Sequence, residues 1–235
     1  MQRKTPGKLN PPPPQAEFDR LPLNKWCQII EGLFYRLHSH NPATKKPWPP
    51  LHFSQKGLSR FDPKKGVGTV CLAEQLAGAL MEVFDDQWGP VGAVGRSLTK
   101  KQLAEYWVTC VQVSPVILFE ASGPNLSKIG TDVQLLAGDH TIAREWALRF
   151  MFHPAQIDGV RYLSRHDNLR RNLALFSRPA LLPAQKERDL HPTKLAVWSM
   201  RIHSTSNLKY GPAVRLRDHP HLDETLKELE VAIIP

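Results

Sequence analysis

Four side chains in this sequence have the residue type and local setting to carry chemistry. Arg60 lies in Ser59-Arg60-Phe61-Asp62-Pro63, between Gly57 and the glycines at 66 and 68. Its guanidinium is a planar, permanently charged fork, which suits a phosphate or pyrophosphate better than a lysine does. Arg36, in Tyr35-Arg36-Leu37, is a second such fork. Glu82 sits at the edge of an apolar helical stripe formed by Leu72, Leu76, Leu80 and Val83. A carboxylate so placed can stabilise a positive charge developing in a cleft. Ser164 ends a short apolar segment, where its hydroxyl can donate and accept. Each has a plainer reading: a solvated glutamate, surface ion-pairing arginines, and a serine that satisfies backbone groups at a strand end.

Other chemistries find less support. The sequence has no G-x-G-x-x-G after a strand, no G-x-x-x-x-G-K-[ST], no H-E-x-x-H and no G-x-S-x-G. His38-x-His40 and His219-x-His221 lack nearby cysteines and lie in proline-containing segments that read as exposed, so no metal site is expected. Cys27, Cys71 and Cys110 are odd in number and widely spaced, which argues against a disulfide framework and points to a reducing, cytoplasmic setting. The basic N-terminus has no apolar stretch of a secretory signal, and no run is long enough to span a bilayer. The formal net charge of +9 hints at a polyanionic partner. It is spread along the chain, however, and the densest run, Arg161, Arg165, Arg170, Arg171 and Arg178, has no nucleic-acid-binding signature. Direct nucleic-acid binding is therefore not expected.

The elements that must position these residues can be read coarsely. Residues 1–20 form a proline-rich basic arm, expected to be flexible, and 21–235 form one domain. Trp26, Ile29, Ile30, Leu33 and Phe34 fall at helical spacing and predict a helix before Tyr35. Prolines between 42 and 50 exclude regular helix, and residues 57–68 read as a polar loop. A strand is expected over 69–72, then a helix from Ala73. Thr99-x-x-Gln102 is a capping box for a helix running through Leu103, Trp107 and Cys110. Residues 111–121 are β-rich, with Pro115 implying an edge or bulged strand. A helix starts at Asp139 or Thr141 and carries Trp146, Phe150 and Met151 into the core. Strands are expected at 160–164, 173–176 and 195–202, and a last helix at 223–229. Helices and strands do not alternate strictly, so the fold class is α+β, a compact mixed sheet with flanking helices.

Several segments, in order, resemble the RES domain family. They are Tyr35-Arg36-Leu37 with Ser59-Arg60-Phe61-Asp62-Pro63; Thr69-Val70-Cys71-Leu72-Ala73 leading to Glu82; and Trp146-Ala147, Asp158-Gly159-Val160-Arg161-Tyr162-Leu163-Ser164 and Leu173-Ala174-Leu175-Phe176. The resemblance implies a fold similar to ADP-ribosyltransferases and catalysis by Arg60, Glu82 and Ser164. It implies NAD as a substrate and no prosthetic group. The nicotinamide–ribose bond would be split with water or phosphate as acceptor, in a bacterial type II toxin–antitoxin module. It also implies an antitoxin partner with an Xre-type helix-turn-helix domain; a homo-oligomer stays open.

The residue chemistry agrees with that implication. Loss of a cationic nicotinamide needs no general acid, and one carboxylate can stabilise the oxocarbenium character on the ribose. Arg60, then Arg36, would take the pyrophosphate, and Phe61 could stack on a ring. The family usually carries a tyrosine where Cys71 stands; Tyr162 or Phe61 could replace that aromatic. The alternatives are an ADP-ribosyltransferase acting on a macromolecule and a catalytically weakened RES-like binding module.

Overall fold

The computed structural model describes residues 8–41, 43–54, 56–57, 59–63, 68–88, 95–164, 167, 169–177 and 208–235, without the side chains of 85–87. Its helices are α1 Gln15–Phe18, α2 Leu76–Trp88, α3 Lys100–Glu105, α4 Pro124–Lys128, α5 Gln134–Ala137, α6 His140–Phe152 and α7 Leu222–Glu228. The strands are β1 Cys27–Ser39, β2 Gly68–Ala73, β3 Ser97–Thr99, β4 Tyr106–Ala121, β5 Gly159–Leu163, β6 Arg171–Ser177, β7 Leu208–Tyr210, β8 Val214–Arg215 and β9 Ala232–Ile234. This is the expected α+β class. The strand expected at 195–202 lies outside the described residues.

The helix expected before Tyr35 is instead the strand β1. It pairs antiparallel with β4 from Cys27↔Phe119 to Ser39↔Tyr106. Its helically spaced apolar residues divide between two faces: Phe34 is buried, whereas Ile29 is 72% exposed and Leu33 52% exposed. Long-range pairing of β-branched and aromatic residues overrides the local periodicity. The helix opened by Thr99 has its full capping box, but it ends at Glu105, and Trp107 and Cys110 belong to β4. Pro115 does not put β4 at an edge. The register with β1 passes from Ile30↔Val116 to Gly32↔Val113, so the proline sits within a bulge of a central strand.

The main sheet closes on itself. Its order is β1-β2-β6-β5-β4-β7, and β1 also pairs with β4. One face of these strands buries Phe34, Val70, Leu72, Val111, Val113, Leu118, Leu173 and Leu175. The alternate residues face the other way, as the two-residue period of a strand requires. They include Val160, Tyr162, Ala174 and Phe176, which pack with Trp146, Ala147 and Phe150 of α6. Gly159 permits β5 and β6 to meet, since a Cβ there would lie 2.2 Å from the Ala174 carbonyl oxygen.

Residues 8–20 are not a flexible arm. Leu9 and Phe18 are buried, the Trp146 Nε1–H donates to the Asn10 carbonyl at 2.9 Å, and Arg149 Nε donates to the Pro13 carbonyl at 2.8 Å. The proline run still has an extended role, because its Pro13 carbonyl serves as an acceptor for α6. A separate cluster joins Leu76, Leu80, Phe84 and Trp88 of α2 to Leu222, Leu226 and Leu229. Each such buried side chain contributes roughly 1.5–3 kcal/mol, which anchors α2 and fixes the direction of its opposite face. Among the described residues, no helix is long and apolar enough to cross a membrane.

Candidate active site

Adjacent strands put polar side chains into one row. Ala73 of β2 pairs with Asn172 of β6, which pairs with Tyr162 of β5. In the next row Cys71 pairs with Ala174, and Ala174 with Val160. All of these alternate residues face α2 and α6 rather than the closed interior. Ser164 follows β5 directly, and its N–H donates to the Arg170 carbonyl at 2.8 Å, closing the turn into β6.

Glu82 meets this row from above. It lies one helical turn after Gly78, opposite the apolar stripe of α2. Ser164 Oγ donates to Glu82 Oε1 at 3.1 Å, and Asn172 Nδ2 donates to the same oxygen at 2.7 Å. The Tyr162 hydroxyl approaches Oε2 at 3.5 Å. Glu82 is an exposed residue whose carboxylate is held by these partners. Residues on a helix, a strand and a strand-end turn thus converge on one carboxyl group.

Arg60 is placed by its loop. Asp62 Oδ2 accepts from Ser54 Oγ at 2.8 Å and from the Gly57 N–H at 3.0 Å, and Thr69 Oγ1 donates to the Phe61 carbonyl at 2.6 Å. Arg144 Nε of α6 donates to the Ser59 carbonyl at 3.1 Å. Arg60 itself donates to the Gly138 carbonyl at 2.7 Å and lies 3.0 Å from His140 Nε2. Its charge reaches Tyr162.

Two expected ligand contacts are engaged differently. The Arg36 guanidinium donates to the carbonyls of Pro50 at 2.6 Å and His52 at 2.9 Å. Burial lowers its pKa to about 10, so it stays cationic at neutral pH. It pins the proline-rich segment beneath the site and is within electrostatic reach of Cys71. Phe61 is buried, with its ring centroid 5.2 Å from that of Tyr162. It supports the tyrosine and has no open face of its own.

The Cys71 thiol lies close to the Tyr162 hydroxyl. Burial, followed by the charge of Glu82, pushes the thiol up to about 12. Burial and the same glutamate also raise the Tyr162 phenol well above its usual value, so it remains a protonated donor. Both groups are neutral beside the carboxylate. His38, expected in an exposed segment, is buried on β1 with Nε2 2.9 Å from Thr109 Oγ1, and His219 is buried too. Among the described residues, no three His, Cys, Asp or Glu side chains cluster in a way that could hold a metal ion. Arg161 is tied to Glu74 at 2.6 Å and Glu120 at 3.1 Å, and Arg170 to Asp167 and Glu228. These arginines of the basic run are spent on internal pairs; Arg165 and Arg178 lie outside the described residues.

Sequence reasoning missed Asn172, Gly138 and His140. Asn172 had a signal, a polar residue at the head of the apolar run Leu173–Phe176. The other two are placed by tertiary contacts that no spacing announces.

No curated protein is similar enough in sequence to match this chain. Among solved structures, the M. tuberculosis MbcT–MbcA toxin–antitoxin complex is similar in fold. The TM-score is 0.59 at 12% identity, covering 86% of this chain and 93% of the other. The RES domain model matches residues 33–199, which include Arg60, Glu82 and Ser164. The chain belongs to the RES domain family.

Proposed function

We propose that this protein is an NAD-consuming enzyme that breaks the nicotinamide–ribose bond, acting as the toxin of a type II toxin–antitoxin module. The observation that carries the reading is the Glu82 carboxylate held by Ser164 and Asn172 beside Tyr162. The C1′–N bond of NAD breaks with its electron pair going to the nicotinamide nitrogen, which leaves neutral. The ribose takes on oxocarbenium character, and the Glu82 carboxylate stabilises it. Water then adds to C1′ and loses a proton, giving ADP-ribose; phosphate adds instead to give ADP-ribose 1″-phosphate. Tyr162, always protonated here, donates to a ribose or carboxamide oxygen. Arg60 exchanges its carbonyl partner for the pyrophosphate. The fold neighbour is a toxin in complex with an antitoxin, which supports an antitoxin protein as partner for this chain; the Xre type is what the family resemblance implies.

The test is to incubate the purified protein with NAD, with and without phosphate, and to follow nicotinamide and the ribosyl product. Nicotinamide release with a small-molecule product is expected. Absence of release under both conditions, with folding verified, overturns the reading. Label from NAD found on a macromolecule alone overturns the choice of acceptor.

A further inference from the structure

We propose that Asn172 is the positioning residue of the Glu82 carboxylate, fixing its orientation and its ionised state; the inference rests on Glu82 being the catalytic group proposed above. Asn172 is fully buried on β6, and its Nδ2 donates to Glu82 Oε1 at 2.7 Å. The opposite orientation of the amide would aim a carbonyl oxygen at a carboxylate oxygen, so the hydrogen-bonding partner dictates which way the amide lies. The amide's own Oδ1 is buried without a hydrogen-bond partner. An aliphatic residue would avoid that unsatisfied acceptor. The polar atom opposite it, Nδ2, goes to Glu82.

The surroundings leave the amide little choice. On the α2 side, a Cβ at Gly78 would lie 3.3 Å from Asn172 Oδ1, so the glycine lets α2 approach close enough for Glu82 to reach β6. Ser164 Oγ donates to the same carboxylate oxygen at 3.1 Å. The two donors come from either end of the β5–β6 turn and hold an otherwise flexible, exposed side chain in one rotamer. Among the described residues, the titratable groups facing it include Tyr162 on β5 and Cys71 on β2, with Arg60 beyond Tyr162. A neutral N–H donor favours the charged carboxylate, and more so where it is shielded from water.

The test compares wild type with Asn172→Ala and Asn172→Asp. The Glu82 carboxyl is titrated by carbon-13 NMR, and the pH profile of nicotinamide release is recorded. In N172A the Glu82 titration moves up by roughly half to one unit. The acid limb of the profile moves with it, and kcat falls about tenfold with KM little changed. N172D conserves the volume, so it preserves packing if N172A does not fold. It places two carboxyl groups on one proton and moves the titration further upward. A Glu82 titration unchanged in both variants overturns the proposal, whatever the activity. Loss of the NAD reading alone leaves the NMR titration to decide the matter.

Discussion

At the residue scale, the site rests on one carboxylate whose described hydrogen-bond donors, Ser164 and Asn172, are neutral. Cys71 stands where the family usually has a tyrosine, and Tyr162, one strand over in the sheet order beyond β6, brings a phenol to the same carboxylate. A thiol pushed up to about 12 by burial has roughly one part in ten thousand as thiolate at pH 8. Cys71 is therefore a neutral thiol beside Tyr162 at that pH. Iodoacetamide at pH 8 is expected to leave Cys71 and the similarly raised Cys27 unmodified in the folded protein and to label both after unfolding. Rapid labelling of Cys71 in the native state, read by peptide mass spectrometry, contradicts this. Glu82 and Ser164, whose side chains meet in the structure, and Arg60 are singled out in the sequence because their local segments carry the family pattern. Asn172 was not singled out, because a single asparagine before an apolar strand has many plain uses.

At the scale of elements, legibility followed the range of the forces. The capping box of α3 is local and legible in the sequence, and of the two starts the sequence offers for α6, Asp139 or Thr141, it is Asp139 that caps it, its side chain accepting from the Thr141 N–H at 2.6 Å. β1 was misread because its pairing with β4 spans some eighty residues of sequence. The segment 8–20 was misread because its value lies in what α6 offers it. Phe18 has ring centroids 5.5–5.8 Å from Phe150, His153 and Trp146, and Leu9 abuts Gly138, whose carbonyl holds Arg60. This segment precedes the part of the chain matched by the family model. Phe18→Ala is expected to cost about 3–5 kcal/mol by chemical denaturation. Phe152→Ala, at a ring 47% exposed, should cost far less. Equal effects from the two substitutions would show that residues 8–20 are not docked in solution.

At the scale of the whole molecule, the closed order of strands holds the site and stores a titratable group in its wall. Burial beside Arg36 lowers His38 to about 4, against 6.5 for an exposed histidine. The unfolded chain then binds a proton between pH 6.5 and about 4 that the folded chain refuses. Stability falls as pH drops through that window and is constant from this source below it. The loss is expected to be of the order of 2–3 kcal/mol. Thermal unfolding from pH 7 to 4 should show the decline, and His38→Gln should flatten it; equal slopes in both proteins contradict the assignment. The +9 charge has a smaller part than its size suggests. Arg36, Arg161 and Arg170 serve internal contacts, and Arg60 is the cation proposed for the pyrophosphate.

The central claim is that Glu82 stabilises the charge developing on the ribose of NAD. Its most direct test is the initial rate of nicotinamide release by wild type and by Glu82→Gln, with both shown to be folded by circular dichroism. The account predicts a rate lower by about 10²–10³-fold in E82Q. A rate within a factor of a few of wild type would contradict it.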